Sequence, residues 1–354
     1  MCVAAPRRGR PTTSIGPVTT APPLPKELQI EVTAACNLRC RMCLVGHRAP
    51  ISRSRGAFGF DRFVELLDAN PQLTRVTLQG LGEPLLAPRL FDMIDAAAAR
   101  GIDMGFNTNG MLLTPARSRR LVDAGLAWLH VSLDGATAAT FEAIRKGGDF
   151  RRVVTHIDAL AAAKRDAGTS RPRLQLNFVA MRRNVRELPR LVRMAAAWGL
   201  DRLWVQNLSH SFDDTDPAGA YAGIRSFAEE EALWSGDDIE LAVRAFDEAR
   251  ADAERLGVPL RLPRLEPDDG AAEARAPGEP GCDWPWRSAY VTHDGKVQPC
   301  CMVMGSDRAT LGSLDRATFV EVWNGERYRR FRERLTSSSP PRVCAGCSAY
   351  RGVF

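Results

Sequence analysis

Short apolar runs alternate with amphipathic helical stretches from about residue 26 to residue 208, and this alternation constrains the fold more than any other feature. It is typical of βα units that wrap around a parallel sheet. The pattern predicts strands at 28–33, 75–79, 103–107, 128–133, 173–179 and 202–207. Six units are too few to close an eight-stranded barrel. We therefore predict an α/β fold, a partial (β/α)6 TIM-like barrel with an open side.

Changes in composition divide the chain into four parts. Residues 1–25 are rich in Pro, Arg and Thr and contain no continuous apolar segment, so we expect a disordered tail rather than a signal peptide. The barrel is predicted to span residues 26–264. Residues 265–281, rich in Pro, Gly, Ala and acidic residues, have the composition of a linker. Residues 282–354 should form a small compact domain.

Charge and hydropathy argue against two classes of partner. The net charge of +6 is the small difference between 48 basic and 42 acidic residues, and the two signs are interspersed, so we expect no nucleic acid partner. Nowhere does the chain approach the roughly 18 to 20 consecutive apolar residues of a membrane span. We therefore expect a cytoplasmic protein that is not bound to a membrane.

The nine cysteines are clustered, apart from Cys2. Without a secretory signal, such clusters indicate metal ligands rather than disulfides. Cys36, Cys40 and Cys43 form a C-x3-C-x2-C loop directly after the first predicted strand. Three thiolates at this spacing can hold a cubane cluster whose fourth iron has no protein ligand. A structural zinc ion would need a fourth ligand, and His47 is the only nearby candidate.

This loop resembles the signature of radical S-adenosylmethionine (SAM) enzymes, whose open iron binds the amino and carboxylate groups of SAM. The position before the third cysteine is usually aromatic in that family, whereas here it is methionine. The resemblance implies an adenine contact from Met42, an amino-group site at Gly82, Glu83 and Pro84, ribose contacts from Asn109, Ser132 and Asp134, and a carboxylate partner in Arg145. On the residues alone, Gly-Glu-Pro and Asp-Gly are also plain turns, and the arginine could form an ordinary surface ion pair.

A second group of cysteines lies near the C-terminus. The segment resembles the SPASM and twitch domains of many radical SAM enzymes, but it is shortened, which leaves room for one auxiliary cluster. The expected ligands are Cys282, Cys300, Cys344 and Cys347, with Cys301 as the alternative to its neighbour. A zinc ribbon is the structural alternative. The resemblance thus implies two [4Fe-4S] clusters and SAM as cofactors.

The family resemblance also implies a reaction. SAM would be cleaved reductively to methionine and a 5'-deoxyadenosyl radical that abstracts hydrogen from the substrate, with electrons from a donor such as flavodoxin or ferredoxin. The shortened module looks most like members that modify sugars, aminocyclitols or nucleosides in antibiotic biosynthesis, of the 2-deoxy-scyllo-inosamine dehydrogenase type. The few residues before the first cluster loop leave no room for a leader-binding domain. Both points favour a small polar substrate that is dehydrogenated, decarboxylated or epimerised.

Two other functions stay open from the sequence. One is a peptide- or protein-modifying maturase, and the other is a non-enzymatic, metal-binding regulatory or scaffold protein. Candidates for the substrate pocket are Gln206, Asn207 and His210, which follow the sixth predicted strand. Ligand sites in such folds gather at the carboxyl ends of the strands. The alternative is that these residues form a satisfied loop that caps the barrel.

Overall fold

The computed structural model describes residues 22–47, 56–233, 239–265 and 281–354. Its strands are β1 (Glu27–Ile30), β2 (Arg39–Cys40), β3 (Arg75–Leu78), β4 (Asp103–Thr108), β5 (Trp128–Ser132), β6 (Arg145–Lys146), β7 (Arg173–Val179), β8 (Arg202–Gln206), β9 (Leu260–Arg261), β10 (Ser288–Val291), β11 (Lys296–Gln298) and β12 (Gly312–Ser313). The predicted strands correspond to β1, β3, β4, β5, β7 and β8, which are adjacent and parallel. The partial (β/α)6 TIM-like barrel is confirmed.

Helices connect the strands and cover the outside of the sheet. They are α1 (Leu44–His47), α2 (Phe60–Asp68), α3 (Leu90–Ala98), α4 (Pro115–Asp123), α5 (Ala138–Ile144), α6 (Phe150–Asp166), α7 (Leu188–Trp198), α8 (Ala222–Glu231), α9 (Ile239–Leu256), α10 (Trp284–Arg287), α11 (Phe319–Asn324), α12 (Glu326–Leu335) and α13 (Arg342–Ala345). Side chains of Thr114, Thr137 and Asp149 cap the N-termini of α4, α5 and α6. These caps satisfy amides that the first helical turn leaves without partners.

The two faces of the sheet differ in chemistry because side chains alternate along each strand. One face is apolar and packs against the helices in the main core; Ile30, Leu78, Phe106 and Val205 are examples, each with no solvent exposure. The opposite, inner face of the barrel carries polar and aromatic side chains such as Trp204. A ligand that enters the barrel would therefore meet the inner face.

The C-terminal region extends the barrel sheet instead of forming a sheet of its own. Within the described residues, the sheet has the order β12-β11-β10-β1-β3-β4-β5-β7-β8-β9. β10 pairs in parallel with β1, from Glu27 opposite Ser288 to Ile30 opposite Val291. The sequence predicts a compact second domain but not this edge pairing. The auxiliary region and the barrel thus share one continuous hydrogen-bonded sheet.

The predicted boundaries compare with the structure as follows. Residues 22–25, which the tail prediction included, are packed: Pro22 is buried, and its carbonyl accepts a hydrogen bond from Trp323 Nε1 at 3.3 Å. The rest of the predicted tail, with Cys2, lies outside the described residues, as does the linker between Leu265 and Gly281. No helix in the described parts of the chain is long and apolar enough to cross a membrane.

Candidate functional site

The first cysteine group occupies the loop from β1 to α1. Cys40 belongs to β2, which pairs with β6 so that Cys40 lies opposite Arg145. The Cys43 amide donates to the Cys40 carbonyl at 3.1 Å, and the Gly46 amide donates to the Cys43 carbonyl at 2.9 Å. A side chain at residue 46 would bring Cβ within 2.7 Å of the Cys40 carbonyl oxygen. The turn after Cys40 is therefore tight and requires glycine.

The thiols of this group share one buried environment. Burial raises the pKa of Cys36 to about 12 and that of Cys40 to about 11, and the nearby thiol of Cys43 raises both pKa values further. The Arg145 guanidinium, 3.8 Å from the Cys40 sulfur, has the opposite effect on the pKa of Cys40. A metal cation deprotonates a coordinating thiol and compensates its charge. The three cysteines therefore suit a cationic iron centre rather than free thiolate chemistry.

Arg145 and Asp134, which the resemblance assigns to SAM, form a buried ion pair. Their nitrogen and oxygen atoms are 2.6 Å apart, and the side chains are 6% and 0% exposed. The other Asp134 carboxylate oxygen accepts a hydrogen bond from the Val179 amide at 2.8 Å. Arg145 Nε has no hydrogen-bond partner among the described residues. Arg145 thus keeps a donor for a ligand, and Asp134 holds the guanidinium in place. The ribose contact of Asp134 stays a prediction.

The segment Gly82-Glu83-Pro84 follows β3 and touches the cysteine loop backbone to backbone. The Glu83 amide donates to the Ala35 carbonyl at 2.8 Å. A Cβ at residue 82 would lie 2.0 Å from the Thr33 carbonyl oxygen, so glycine is required there. The structure therefore places the segment that is predicted to bind the amino group of SAM in contact with the loop that carries Cys36.

The Glu83 carboxylate is buried and fully engaged with the protein. It accepts hydrogen bonds from the Thr108 hydroxyl and the Asn109 amide, each at 2.8 Å, and from the Leu85 amide at 3.1 Å. Burial raises its pKa, and these donors together with Arg145 counteract the effect. Glu83 thus joins the ends of β3 and β4 and places a carboxyl group beside Cys36, whose pKa it helps to raise.

The remaining predicted SAM contacts occupy different positions. The Asn109 side chain donates to the Asn37 side chain at 2.9 Å, next to the cysteine loop. Ser132 ends β5 and is nine-tenths buried, opposite Asn177 of β7. Met42 packs in an apolar cluster with residues of α8 and with Leu208. Asn109 and Ser132 lie at the carboxyl ends of barrel strands, whereas Met42 packs toward α8.

The second cysteine group is brought together as predicted. The thiols of Cys282, Cys344 and Cys347 lie close enough to Cys300 to raise its pKa, after the larger effect of burial. Burial likewise raises the pKa of Cys347, to about 12.

Two of the predicted pocket residues, His210 and Asn207, form hydrogen bonds within the protein. His210 Nδ1 accepts from the Phe212 amide at 2.7 Å, and Nε2 lies 2.7 Å from the Val343 carbonyl oxygen, which fixes the neutral Nε2–H tautomer. Burial and then the charge of Arg308 lower the pKa of His210 to about 4, in agreement with a neutral ring. Asn207 Nδ2 donates to the Val353 carbonyl at 2.7 Å. Both residues hold the auxiliary segment through these hydrogen bonds. His210 also lines a small apolar cavity together with Met42 and Leu208, and Asn207 Oδ1 has no partner among the described residues.

Gln206 differs from these neighbours. Its side chain is 1% exposed, and neither Nε2 nor Oε1 has a hydrogen-bond partner in the described residues. It follows Trp204 on the inner face of β8. Of the three candidates, Gln206 is the one whose side chain forms no hydrogen bond within the described residues.

Sequence analysis missed a buried cluster around Glu31. Its carboxylate accepts from the Leu81 amide at 2.8 Å, from the Tyr290 hydroxyl at 2.7 Å and from His293 Nδ1 at 2.7 Å, and this last hydrogen bond raises the pKa of His293. The cluster joins β1, the segment before Gly82 and the auxiliary region. An acidic residue directly after an apolar strand was the available signal.

Comparison with known proteins identifies the family. A model of the radical SAM superfamily matches residues 30–195, and a model of an iron-sulfur cluster-binding domain matches residues 282–348. GTP 3',8-cyclase 1 of Pseudomonas aeruginosa is 30% identical over 67% of this chain and 68% of its own length. The chain belongs to the radical SAM superfamily.

Other known proteins match along most of the chain. A tungsten-containing aldehyde ferredoxin oxidoreductase cofactor-modifying protein of Pyrococcus furiosus is 26% identical, covering 91% of this chain and 87% of its own. The PqqA peptide cyclase of Gluconobacter oxydans is 28% identical, covering 92% and 84%. The structure of Streptococcus suis SuiB bound to precursor peptide SuiA has a TM-score of 0.66 at 17% identity, covering 93% and 71%. That last match supports the fold alone.

As a radical SAM enzyme, the protein uses SAM and one [4Fe-4S] cluster in each region. The residues present fit these groups. Cys36, Cys40 and Cys43 would hold the first cluster and leave one iron for SAM, and Arg145 Nε would be available to a carboxylate nearby. The four thiols in the C-terminal region would supply the ligands of the second cluster.

Proposed function

We propose that this radical SAM enzyme is a maturase that modifies a peptide. The observation that carries the proposal is the similarity to the PqqA peptide cyclase along 92% of the chain. SuiB, which has the same fold, holds a precursor peptide in its structure, so this architecture can accommodate one. The small polar substrate predicted from the shortened auxiliary segment is the competing hypothesis. The peptide-modifying role rests on this similarity, which extends over both the barrel and the auxiliary region.

The chain's own residues would contribute by holding and enclosing the reacting groups. Cys36, Cys40 and Cys43 would hold the first cluster, and Arg145, fixed by Asp134, would hold the carboxylate of SAM. When bound, cluster and SAM supply a carbon radical that removes a hydrogen atom from the substrate. Trp204 on the inner face of the barrel has no solvent exposure. A site closed to water protects reactive species from side reactions.

Deuterium transfer tests this proposal. The reconstituted protein is incubated anaerobically with dithionite, SAM and an extract of the source organism grown in deuterated medium. Abstraction from a substrate carbon places deuterium in the 5'-deoxyadenosine that is released. If the substrate is a peptide, treatment of the extract with proteinase K, followed by inhibition of the protease, should abolish the transfer. The Cys40→Ala variant, which lacks a cluster ligand, should release no 5'-deoxyadenosine from either extract.

The competing hypothesis predicts the opposite result. Transfer that survives proteolysis and follows the dialysable fraction of the extract would contradict a peptide substrate and support a sugar, an aminocyclitol or a nucleoside. Release of 5'-deoxyadenosine without deuterium from either fraction would also contradict the proposal.

A further inference from the structure

Five buried carboxamide side chains on the inner face of the sheet each carry at least one polar atom without a hydrogen-bond partner among the described residues. The atoms without partners are Gln29 Nε2, Asn107 Nδ2 and Oδ1, Asn177 Nδ2, Gln206 Nε2 and Oε1, and Gln298 Nε2 and Oε1. The exposed fraction of these residues is between 1% and 8%. We call this set the carboxamide belt.

Strand register places the belt on one face. Gln29 pairs with Tyr290, and Tyr290 pairs with Gln298, so all three point to the same side of the sheet. Asn177 pairs with Trp204, two residues before Gln206 on the same strand. The residues between belt members, such as Ile30 and Val205, belong to the apolar core on the other face. The belt therefore lies on the face opposite the helices, with four members in the barrel and Gln298 in the auxiliary region.

Partnerless amides of this kind cost free energy unless something else bonds to them. A buried donor or acceptor that gave up water and gained no partner destabilises the folded chain. Asn184 shows the usual arrangement: it is fully buried, its Nδ2 donates to the carbonyls of Asp134 and Val179, and its Oδ1 accepts from the Met181 amide. The belt atoms lack such partners, and a buried polar atom without a partner requires an explanation, of which a bound ligand is one.

The belt also has a definite chemistry and extent. Each carboxamide is uncharged and offers both donors and acceptors. A peptide group offers the complementary pair, one N–H and one C=O. The belt runs from β11 to β8, seven steps along the sheet order, or roughly 34 Å along the curved sheet at about 4.8 Å per strand. A single sugar or nucleoside is too short to reach from one end to the other.

We infer that the carboxamide belt binds the backbone of an extended peptide substrate, from the barrel strand β8 to the auxiliary strand β11. The inference rests on the proposed function and specifies how the peptide is recognised: by main-chain amides, independently of side-chain charge. Gln298 would extend the binding surface beyond the barrel into the auxiliary region.

The first test measures stability without any substrate. Gln206→Leu and Gln298→Leu replace a partnerless carboxamide with an apolar side chain of similar size. In the reconstituted enzyme, each should raise the apparent melting temperature by about 1 to 2 °C. Asn184→Leu is the matched control and should lower it, because its carboxamide is satisfied within the protein. A decrease for both belt variants would mean that internal water or protein groups satisfy the belt, which would overturn the inference.

The second test measures recognition with the deuterated extract as the probe. For each belt variant, the ratio of deuterated to total 5'-deoxyadenosine should fall by about tenfold, since one lost pair of hydrogen bonds is worth roughly a factor of ten. An unchanged ratio would overturn the inference even if transfer stays sensitive to protease. Transfer that resists protease but depends on the belt would instead refute the peptide function and leave a binding surface for another ligand.

Discussion

At the scale of single residues, the surroundings of Arg145 give the clearest indication of a functional role. It lies between the Cys40 sulfur and the Asp134 carboxylate, and both ion-pair partners are buried. Removing one member of a buried ion pair leaves the other charge without compensation. This lowers the free energy of unfolding by about 3 to 5 kcal/mol. The double variant removes both charges, so most of this penalty should disappear.

Arg145→Leu should therefore destabilise the protein more than Asp134→Asn combined with Arg145→Leu. Thermal melting of the three reconstituted proteins, wild type included, measures the difference. Both variants should bind SAM poorly, because both lack the guanidinium. If the double variant were less stable than the single variant, Asp134 would have an additional role, and the ribose contact predicted from the sequence would gain support.

Residue types and spacing made the radical SAM family predictable, since C-x3-C-x2-C followed by Gly-Glu-Pro carries its chemistry in the local sequence. The engagement of His210 and Asn207 was not predictable. Their partners are the carbonyls of Val343 and Val353, more than a hundred positions away. Local sequence does not reveal which distant backbone group will occupy a polar side chain.

At the scale of elements, the six barrel strands follow from alternating apolar and amphipathic runs, and the structure places them within a few residues of the prediction. The pairing of β10 with β1 has no such signal, because a strand of four residues carries no information about its neighbour. The contact between the turn at Gly82 and the cysteine loop is likewise a tertiary feature that the local sequence does not reveal. It leads to the following prediction.

Gly82→Ala should separate these two loops. The added Cβ would lie 2.0 Å from the Thr33 carbonyl oxygen and 2.8 Å from that of Ala35, and neither backbone group can move without displacing the strand end. We expect SAM binding, measured by equilibrium dialysis under anaerobic conditions, to weaken by at least about tenfold, or 1.4 kcal/mol.

Gly59→Ala is the control for this experiment. Its φ of −63° suits any residue, and the nearest atom to its Cβ would be 4.0 Å away. SAM binding should be unchanged in this variant. Equal SAM affinity in both variants would show that the cysteine loop does not depend on close contact with residue 82.

At the scale of the whole molecule, the structure joins its two cluster regions through one sheet and one buried carboxylate. Glu31 accepts from the Leu81 amide, next to the SAM segment, and from the Tyr290 hydroxyl of β10 in the auxiliary region. The sequence predicts a linker between two domains, and these hydrogen bonds join the two domains at the edge of the barrel. A change in the auxiliary region should therefore reach the SAM site.

Tyr290→Phe tests this coupling, because it removes only the hydroxyl. Glu31 would lose one donor, its hold on Leu81 would loosen, and SAM affinity should fall by about tenfold, since a hydrogen bond to a charged group contributes roughly 1.5 to 3 kcal/mol. Tyr328→Phe is the matched control, because its buried hydroxyl has no partner among the described residues. SAM dissociation constants and iron contents of both variants decide the outcome. A loss of affinity in Tyr290→Phe with full iron content would show that the auxiliary region positions the SAM segment, whereas equal affinities would show that the shared sheet transmits nothing to it.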